Sequence, residues 1–444
     1  MSHYWKNCSA FILCVYSVAL LLRFTVSCAT GANQPNIVLI MADDLGYGSL
    51  GCYGNQEIKT PNIDSLALNG IRLTDFHSNG PMCTPTRAAL MTGRYQQRCT
   101  WVDDVELSPI FREQRKKNMK QRWAWGISID ELTIADSLKQ AGYRTALFGK
   151  WHLGYDFKFH PMNQGFDEFR GFISGAVDYH THIATSGLKK LDWWKGKKIQ
   201  DDQGYTTDLL TRYATDFIIR HQYKPFFLFL SHESPHTPLQ GRDPAKKKSP
   251  EETYREMIEV LDESVGSVLK ALRKHRLEKN TLVIFCSDNG PQVEYLAAAG
   301  PLRGKKGSMY EGGHRVPFIA SWPGVITPIS TSSEKAMTMD FFPTFVKLAG
   351  GTTPKNLEVD GIDMMPLLKG ETKKNDRTLH WLFANSWAVR KGSWKLIGRG
   401  GKPLTLVNLV DDLGEGNNLL KAQPERAREL MKLHVEWVKA VGEK

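Results

Sequence analysis

Cysteine is scarce: the 444 residues contain 7, and three of these fall within the first 28. The other four, Cys52, Cys83, Cys99 and Cys286, are irregularly spaced and form no Cys-x-x-Cys pair. That pattern excludes a disulfide-stapled scaffold and a cysteine-based zinc module. Cys286 ends an apolar run and reads as a core thiol; Cys52 and Cys99 could pair, although nothing in the spacing demands it. Internal repeats and low-complexity tracts are lacking too. A hydrophobic share of 41% against 24% charged residues rules out a disordered, collagen-like or coiled-coil chain. The N-terminal apolar run, Ala10–Leu22, has 13 residues, short of the roughly 20 that span a bilayer. Acidic side chains are in deficit, 47 against 58 Lys and Arg, for a net charge of +11. Such a surface favours nucleic acid, anionic membrane or acidic polysaccharide.

The N-terminus narrows that choice. Lys6, the apolar run, and then Ser27, Ala29, Gly31 and Ala32 follow the basic, apolar, small order of a secretory leader. Thr25 stands where a lipoprotein signal requires Leu or Val, so ordinary cleavage near Ala29 or Ala32 is expected. Residues 1–29 are assigned to a signal peptide, with export to a periplasmic, secreted or lysosome-like compartment. An exported chain meets no chromosomal nucleic acid, and no stable membrane span is expected.

Four apolar segments each run directly into polar chemistry. Asn36–Ala42 leads to Asp43 and Asp44; Arg144–Phe148 leads to Gly149, Lys150, Trp151 and His152. Pro225–Leu230 leads to Ser231–His236, and Thr281–Cys286 leads to Ser287, Asp288, Asn289 and Gly290. Continuous apolar runs of this length read as central strands buried on both faces. Helical periodicity lies between them: Ile134, Leu138 and Ala141 share a face that stops at Gly142, and Met257 to Leu269 mark another. The alternation predicts a mostly parallel sheet flanked by helices, whose ligands bind outside the strands' carboxyl ends. All four polar clusters fall there. The basic stretches 112–122, 189–198 and 246–248 read either as solvated loops or as a basic rim for a charged polymer. Beyond Lys373 the pattern changes. Strands around Leu379–Ala384, Trp387–Ile397 and Thr405–Val410, then a helix from about Pro424 to Val441, predict a small α+β subdomain over 376–444, after a catalytic domain over 33–375.

Asp43, Asp44, Asp288 and Asn289 form an all-oxygen set. An Asp-Asp pair alone is usually a turn or a helix cap, but two pairs at equivalent strand ends suit Ca²⁺ or Mg²⁺ and argue against zinc. Three carboxylates and one amide would carry about −3 before an anionic substrate arrives. In Cys83-Thr-Pro-Thr-Arg87, Pro85 fits the first turn of a helix that runs to Gly93. Cys83 then sits at a positive helix N-terminus, and Arg87 shares its face.

These motifs resemble the type I sulfatases over residues 35–440. The signature Cys-x-Pro-x-Arg is present as Cys83–Arg87, followed by Thr92-Gly93-Arg94. Ala42–Gly48, Gly149–Gly154, Ser234-Pro-His236, Ser287–Gly290, Lys306 and Glu311–Pro317 follow in family order. The resemblance implies an alkaline-phosphatase-like fold, one bound Ca²⁺, and conversion of Cys83 to formylglycine by a separate maturation enzyme. Composition and spacing point to no such modification. It also implies that the aldehyde hydrate of residue 83 joins Asp43, Asp44, Asp288 and Asn289 at the metal and acts as nucleophile. Arg87 and His152 would hold the hydrate; Lys150, His236 and Lys306 would neutralise the sulfate oxygens; Asp288 or His236 could protonate the leaving alcohol.

Gly175–His182 is similar to the substrate-loop region of arylsulfatase-like and N-acetylgalactosamine-sulfatase-like members. With export, the Trp193-Trp194 pair and a basic rim, a sulfated carbohydrate is the expected substrate. The alternatives are a phosphonate or phosphodiester hydrolase on the same fold, and a secreted binder of anionic polysaccharide in which Cys83 is never converted.

Overall fold

The computed structural model describes residues 34–99, 126–185, 189–371 and 376–442. The signal peptide and the basic stretch 112–122 lie outside the described residues. In chain order the strands are β1 (Asn36–Ala42), β2 (Ile71–Leu73), β3 (Phe76–His77), β4 (Arg144–Lys150), β5 (Glu168–Phe172) and β6 (Trp194–Lys195). Then come β7 (Lys198–Ile199), β8 (Phe226–Ser231), β9 (Thr281–Ser287), β10 (Phe318–Ser321), β11 (Ser330–Ser332) and β12 (Ala336–Met337). The last are β13 (Leu379–Phe383), β14 (Ser386–Lys391), β15 (Trp394–Arg399) and β16 (Lys402–Asn408). The helices are α1 (Pro61–Leu68), α2 (Cys83–Thr92), α3 (Ile134–Gln140), α4 (Thr206–Arg220) and α5 (Pro250–Lys274). They continue with α6 (Glu311–His314), α7 (Phe341–Leu348), α8 (Met365–Leu368) and α9 (Pro424–Gly442).

Ten strands form one sheet in the order β11-β2-β10-β9-β1-β8-β4-β5-β6-β7. Its centre, β9-β1-β8-β4-β5, is parallel throughout, while β10 and β6 pair antiparallel on either side. Side chains of a strand alternate between faces. Ile37, Leu39 and Met41 therefore enter a core with Leu138 of α3 and Phe341 and Phe345 of α7. Val38, Ile40 and Ala42 enter the opposite core with Leu210 of α4 and Leu261 and Val265 of α5. Two of the flanking helices, α3 and α5, start on a local signal. Thr133 and Asp136 form a capping box on α3, and Ser249 and Glu252 form another on α5, with Pro250 at its first position. Because the central strands are parallel, Asp43, Lys150, Ser231 and Asp288 all emerge at one end of the sheet.

β13-β14-β15-β16 form a separate antiparallel sheet. The single strand expected over 387–397 is two, β14 and β15, reversed at Gly392 with φ 60°. The polar stretch Arg390-Lys391-Gly392-Ser393 separates the two apolar halves and marks the turn in the sequence. One face of this sheet packs on α9 through Val389, Leu396, Ala427 and Leu430. Its other face carries Trp381, Ala388 and Ile397 into a cluster with Ala89 of α2 and Tyr95. The described residues from 35 onward make one compact unit that includes both sheets. Cys52 and Cys99 are not bridged: Cys52 packs beside Asp64, and Cys99 Sγ lies 3.4 Å from Thr92 Oγ1. Among the described residues no helix is long and apolar enough to cross a membrane.

Candidate active site

The four strand ends deliver their side chains to one point, and α2 brings residue 83 to it. All ten residues of α2 are buried, and the helix stops at Gly93, whose φ of 69° is the left-handed end expected for glycine. Cys83 Sγ lies 3.3 Å from Asp43 Oδ1 and 4.0 Å from Asp44 Oδ1. Asp288 Oδ1 accepts the Asp44 amide at 3.2 Å, and Asn289 Nδ2 donates to Asp44 Oδ1 at 2.6 Å. Asp43, Asp44, Asp288 and Asn289 are all 0–1% exposed. The sequence had placed these five together, and the fold brings them together.

The cations are distributed more finely than sequence motifs could indicate. Arg87, expected to reach Cys83, grips Asp288 Oδ2 through Nε at 3.0 Å and Nη2 at 2.8 Å. Its Nη1 donates to the Lys150 carbonyl and to Ser231 Oγ. Lys150 is fully buried behind Asp43, with Nζ 2.5 Å from Oδ2, and does not line the cavity. Lys306 Nζ lies 2.8 Å from Asp44 Oδ2, and His236 Nε2 lies 3.5 Å from the same oxygen. His152 Nδ1 meets Thr84 Oγ1 at 3.3 Å. Each carboxylate thus has its own cation, so the cluster does not carry the uncompensated −3 that the acidic residues alone suggested.

Electrostatics separate the two buried acids. Burial pushes the Asp43 carboxyl up, but Lys150 and His236 outweigh it and hold the group below the usual range. Asp288 is raised by its burial and by Asp43, although Arg87 opposes this. Burial and the Asp288 and Asp43 carboxylates push the Cys83 thiol up, so an unconverted cysteine here stays protonated. His152 is held well below its ordinary value by burial and by Lys150 and Arg87, which leaves its ring neutral.

A cavity of about 300 Å³ opens over Cys83, lined by His152, Gly175, Ala176, Thr185, His236, Thr237, Lys306 and Phe383 among others. Thr185, Thr237 and Phe383 escaped sequence reasoning because they come from three distant parts of the chain, Phe383 from the end of β13, and none belongs to a motif. The Trp193-Trp194 pair is not part of it. Trp193 is fully buried and stacks on His182 at 4.2 Å, while Trp194 donates to Asp192. Glu233 was also missed. Its Oε1 accepts the Val177 amide at 2.7 Å and so ties the loop 175–182 to the strand end that carries His236. Burial raises Glu233 well above the usual carboxylate range.

The donor set fits a hard divalent cation. Asn289 Oδ1 is buried without a hydrogen-bond partner, beside three converging carboxylates, and offers a neutral oxygen to complete an oxygen shell. A divalent cation added to three matched acid–base pairs would bring the cluster to about +2, which attracts rather than repels an ester anion.

Strand-end oxygens, a helix-borne residue 83 and cations around an open cavity define a hydrolase of the alkaline-phosphatase-like α/β class. Comparison with known proteins gives the family. A family model described as Sulfatase matches residues 35–351, and one described as N-sulphoglucosamine sulphohydrolase, C-terminal, matches 305–436. Steryl-sulfatase of Homo sapiens is 34% identical over 439 residues, covering 81% of this chain and 74% of its own. Arylsulfatase A of Homo sapiens is 35% identical over 406 residues, covering 85% and 77%. Among solved structures, Ps i-CgsB matches with a TM-score of 0.81 at 32% identity, over 91% of this chain and 92% of its own. The same protein in complex with k-i-k-neocarrahexaose gives 0.80 at the same identity and coverage. The chain belongs to the sulfatase family, among the type I sulfatases, and is a sulfuric ester hydrolase.

Proposed function

We propose that this protein is an exported enzyme that removes sulfate from a sulfated carbohydrate, with Cys83 converted to formylglycine by a maturation enzyme and Ca²⁺ held by Asp43, Asp44, Asp288 and Asn289. The observation that carries the reading is the convergence of these oxygens on residue 83 at the floor of the cavity. The saccharide follows from the similarity to a protein solved with k-i-k-neocarrahexaose, and from a cavity rimmed by Phe383, Thr185 and Thr237. Ca²⁺ would supply a fixed positive charge beside the reacting oxygens. The aldehyde, once hydrated, would supply one hydroxyl to attack sulfur and a second through which the sulfated enzyme returns to aldehyde.

The remaining work falls to the chain's own side chains. Arg87 holds Asp288 through two N–H groups, and Lys150 holds Asp43 through its ammonium. Lys306 and His236 are partly exposed to the cavity and can meet the sulfate oxygens as negative charge shifts onto them. His236 Nδ1 donates to the Thr237 carbonyl, so Nε2 faces the site and gives a proton to the leaving oxygen from the imidazolium form, which Asp43 and Asp44 favour and burial opposes. Neutral His152, held by Thr84, can hydrogen-bond residue 83 without adding charge.

The test is sulfate release by protein coexpressed with the maturation enzyme, from sulfated oligosaccharides, a chromogenic aryl sulfate, and phosphonate and phosphodiester analogues. Highest kcat/KM on a sulfated saccharide is expected. Faster phosphorus–oxygen cleavage would move the reaction to the phosphoryl class. An unconverted Cys83 in protein from its own host, with saccharide binding and no turnover, would make the protein a binder.

A further inference from the structure

Glu311-Gly-Gly-His314 takes no direct part in the chemistry above, yet it lies where several backbones cross. The Gly312 amide donates to the Arg303 carbonyl at 2.7 Å and the Gly290 amide donates to the Gly313 carbonyl at 3.0 Å. Within the same crossing the Lys306 amide donates to the Pro291 carbonyl, and the Gly307 amide donates to the Pro81 carbonyl just ahead of α2. The approach is so close that a Cβ on Gly312 would lie 2.3 Å from the Gly304 oxygen, and one on Gly290 would lie 1.8 Å from the Gly312 oxygen.

This crossing is gripped from the small sheet. Lys395 on β15 is fully buried and donates to Glu311 Oε1 at 2.8 Å, Glu415 Oε1 at 3.0 Å and His314 Nε2 at 3.1 Å. Glu415 Oε2 accepts the Glu311 amide at 2.6 Å, and the Glu415 carbonyl accepts Arg303 Nη1 at 2.7 Å. The Lys395 ammonium and the Glu415 carboxylate therefore hold the Glu311 end of the segment 303–311, the Glu415 backbone carbonyl holds its Arg303 end, and Lys306 lies between them. A buried ion pair is weak evidence of stabilisation, since well-packed apolar residues often hold a fold as firmly. An apolar side chain at 395 could not hold Glu311 and Glu415 in one geometry.

We propose that Lys395 is a positioning residue for sulfate-ester hydrolysis, fixing the segment 303–311 so that the Lys306 ammonium stays on Asp44 at the cavity wall. The inference rests on the role given to Lys306 above. A double-mutant cycle tests it: Lys395→Met, Lys306→Ala and the pair, with kcat and KM on one sulfate ester and the Tm of each protein. Lys395→Met alone should lower kcat/KM by about 10- to 100-fold, and in the Lys306→Ala background it should cost less than about threefold. Equal losses in both backgrounds, or wild-type kcat/KM in Lys395→Met, would overturn the proposal. Should Lys395→Met fail to fold, Glu415→Gln keeps the shape and weakens the grip. It should cost roughly three- to tenfold, again only where Lys306 is present; no loss overturns the proposal. Full activity in Lys306→Ala would instead bring down the role of Lys306, a failure recognisable because it appears without any change at residue 395.

Discussion

Two buried clusters in this protein have the same formal make-up and different fates. At the strand ends, Asp43, Asp44 and Asp288 face Arg87, Lys150 and Lys306. Beneath the small sheet, Asp75, Glu311 and Glu415 face Arg315, Arg390 and Lys395. The second cluster is closed. Arg390 holds both Asp75 oxygens at 2.7 Å, His77 bridges Asp75 and His314, and none of its side-chain polar atoms is left buried without a partner. His77, Glu311 and His314 have metal-like spacing, but Lys395 and Arg390 already sit among them. The first cluster keeps an orphaned amide oxygen, a raised carboxyl and a cavity above it. Ligand binding follows from incomplete satisfaction and access rather than from the kinds of residue present.

The largest expected effect separates the clusters directly. Asp288→Ala, or chelation, should lower turnover by about 10³-fold or more while the protein stays folded; activity that survives in metal-free protein would erase the distinction. Arg390→Met attacks the closed cluster by removing one partner of a buried pair. It should cost about 3–5 kcal/mol of stability in guanidinium titration, with Ca²⁺ affinity measured by calorimetry unchanged. A loss of Ca²⁺ binding there would mean that the two clusters are not independent.

Acid should act on the closed side too. Burial holds His77 below its ordinary value and His314 well below it. Nearby, His380 is lowered to about 3 and His434 to about 4, again by burial. These groups fold neutral, and the unfolded chain takes up protons near 6.5. Their contribution is therefore complete above that pH and declines below it; for His380 and His434 the decline continues toward pH 3–4, by about 1.4 kcal/mol per unit for each. Guanidinium midpoints at pH 7 and pH 4.5 check this, and a higher midpoint at pH 4.5 would contradict it. The smallest effect belongs to the cavity rim. Phe383→Ala should raise KM roughly three- to tenfold for a sulfated oligosaccharide and leave a small aryl sulfate unaffected. Equal changes on both substrates would remove Phe383 from saccharide recognition.

The open cluster was more legible in the sequence than the closed one, and the reason is topological. Parallel strands deposit their following residues at one edge, so Asp43, Asp44, Asp288 and Asn289 could be placed together from four apolar runs. The closed cluster joins β3, α6 and β15, whose contacts depend on how the small sheet docks, and no local period encodes that. The same limit hid Phe383 and misdirected Trp193, which looked like a surface aromatic and fills the core. Arg87 was placed on the right helix face, but its grip on Asp288 was not legible, because Asp288 is 201 positions away in the chain. The turn at Gly392 was legible in the polar break Arg390-Lys391-Gly392-Ser393, which the expected single strand over 387–397 passed over.

The account stands or falls on residue 83. Cys83→Ser keeps a hydroxyl at the start of α2, 40 positions from Asp43 in sequence and adjacent to it in space. A serine sulfate has no second hydroxyl on the same carbon, so return to an aldehyde is closed and release needs water to attack a stable ester. Mass spectrometry after exposure to substrate should show one sulfate covalently held on residue 83 in Cys83→Ser and none in Cys83→Ala. Repeated turnover by the serine variant at the wild-type rate, with no adduct, would contradict a formylglycine nucleophile at this site.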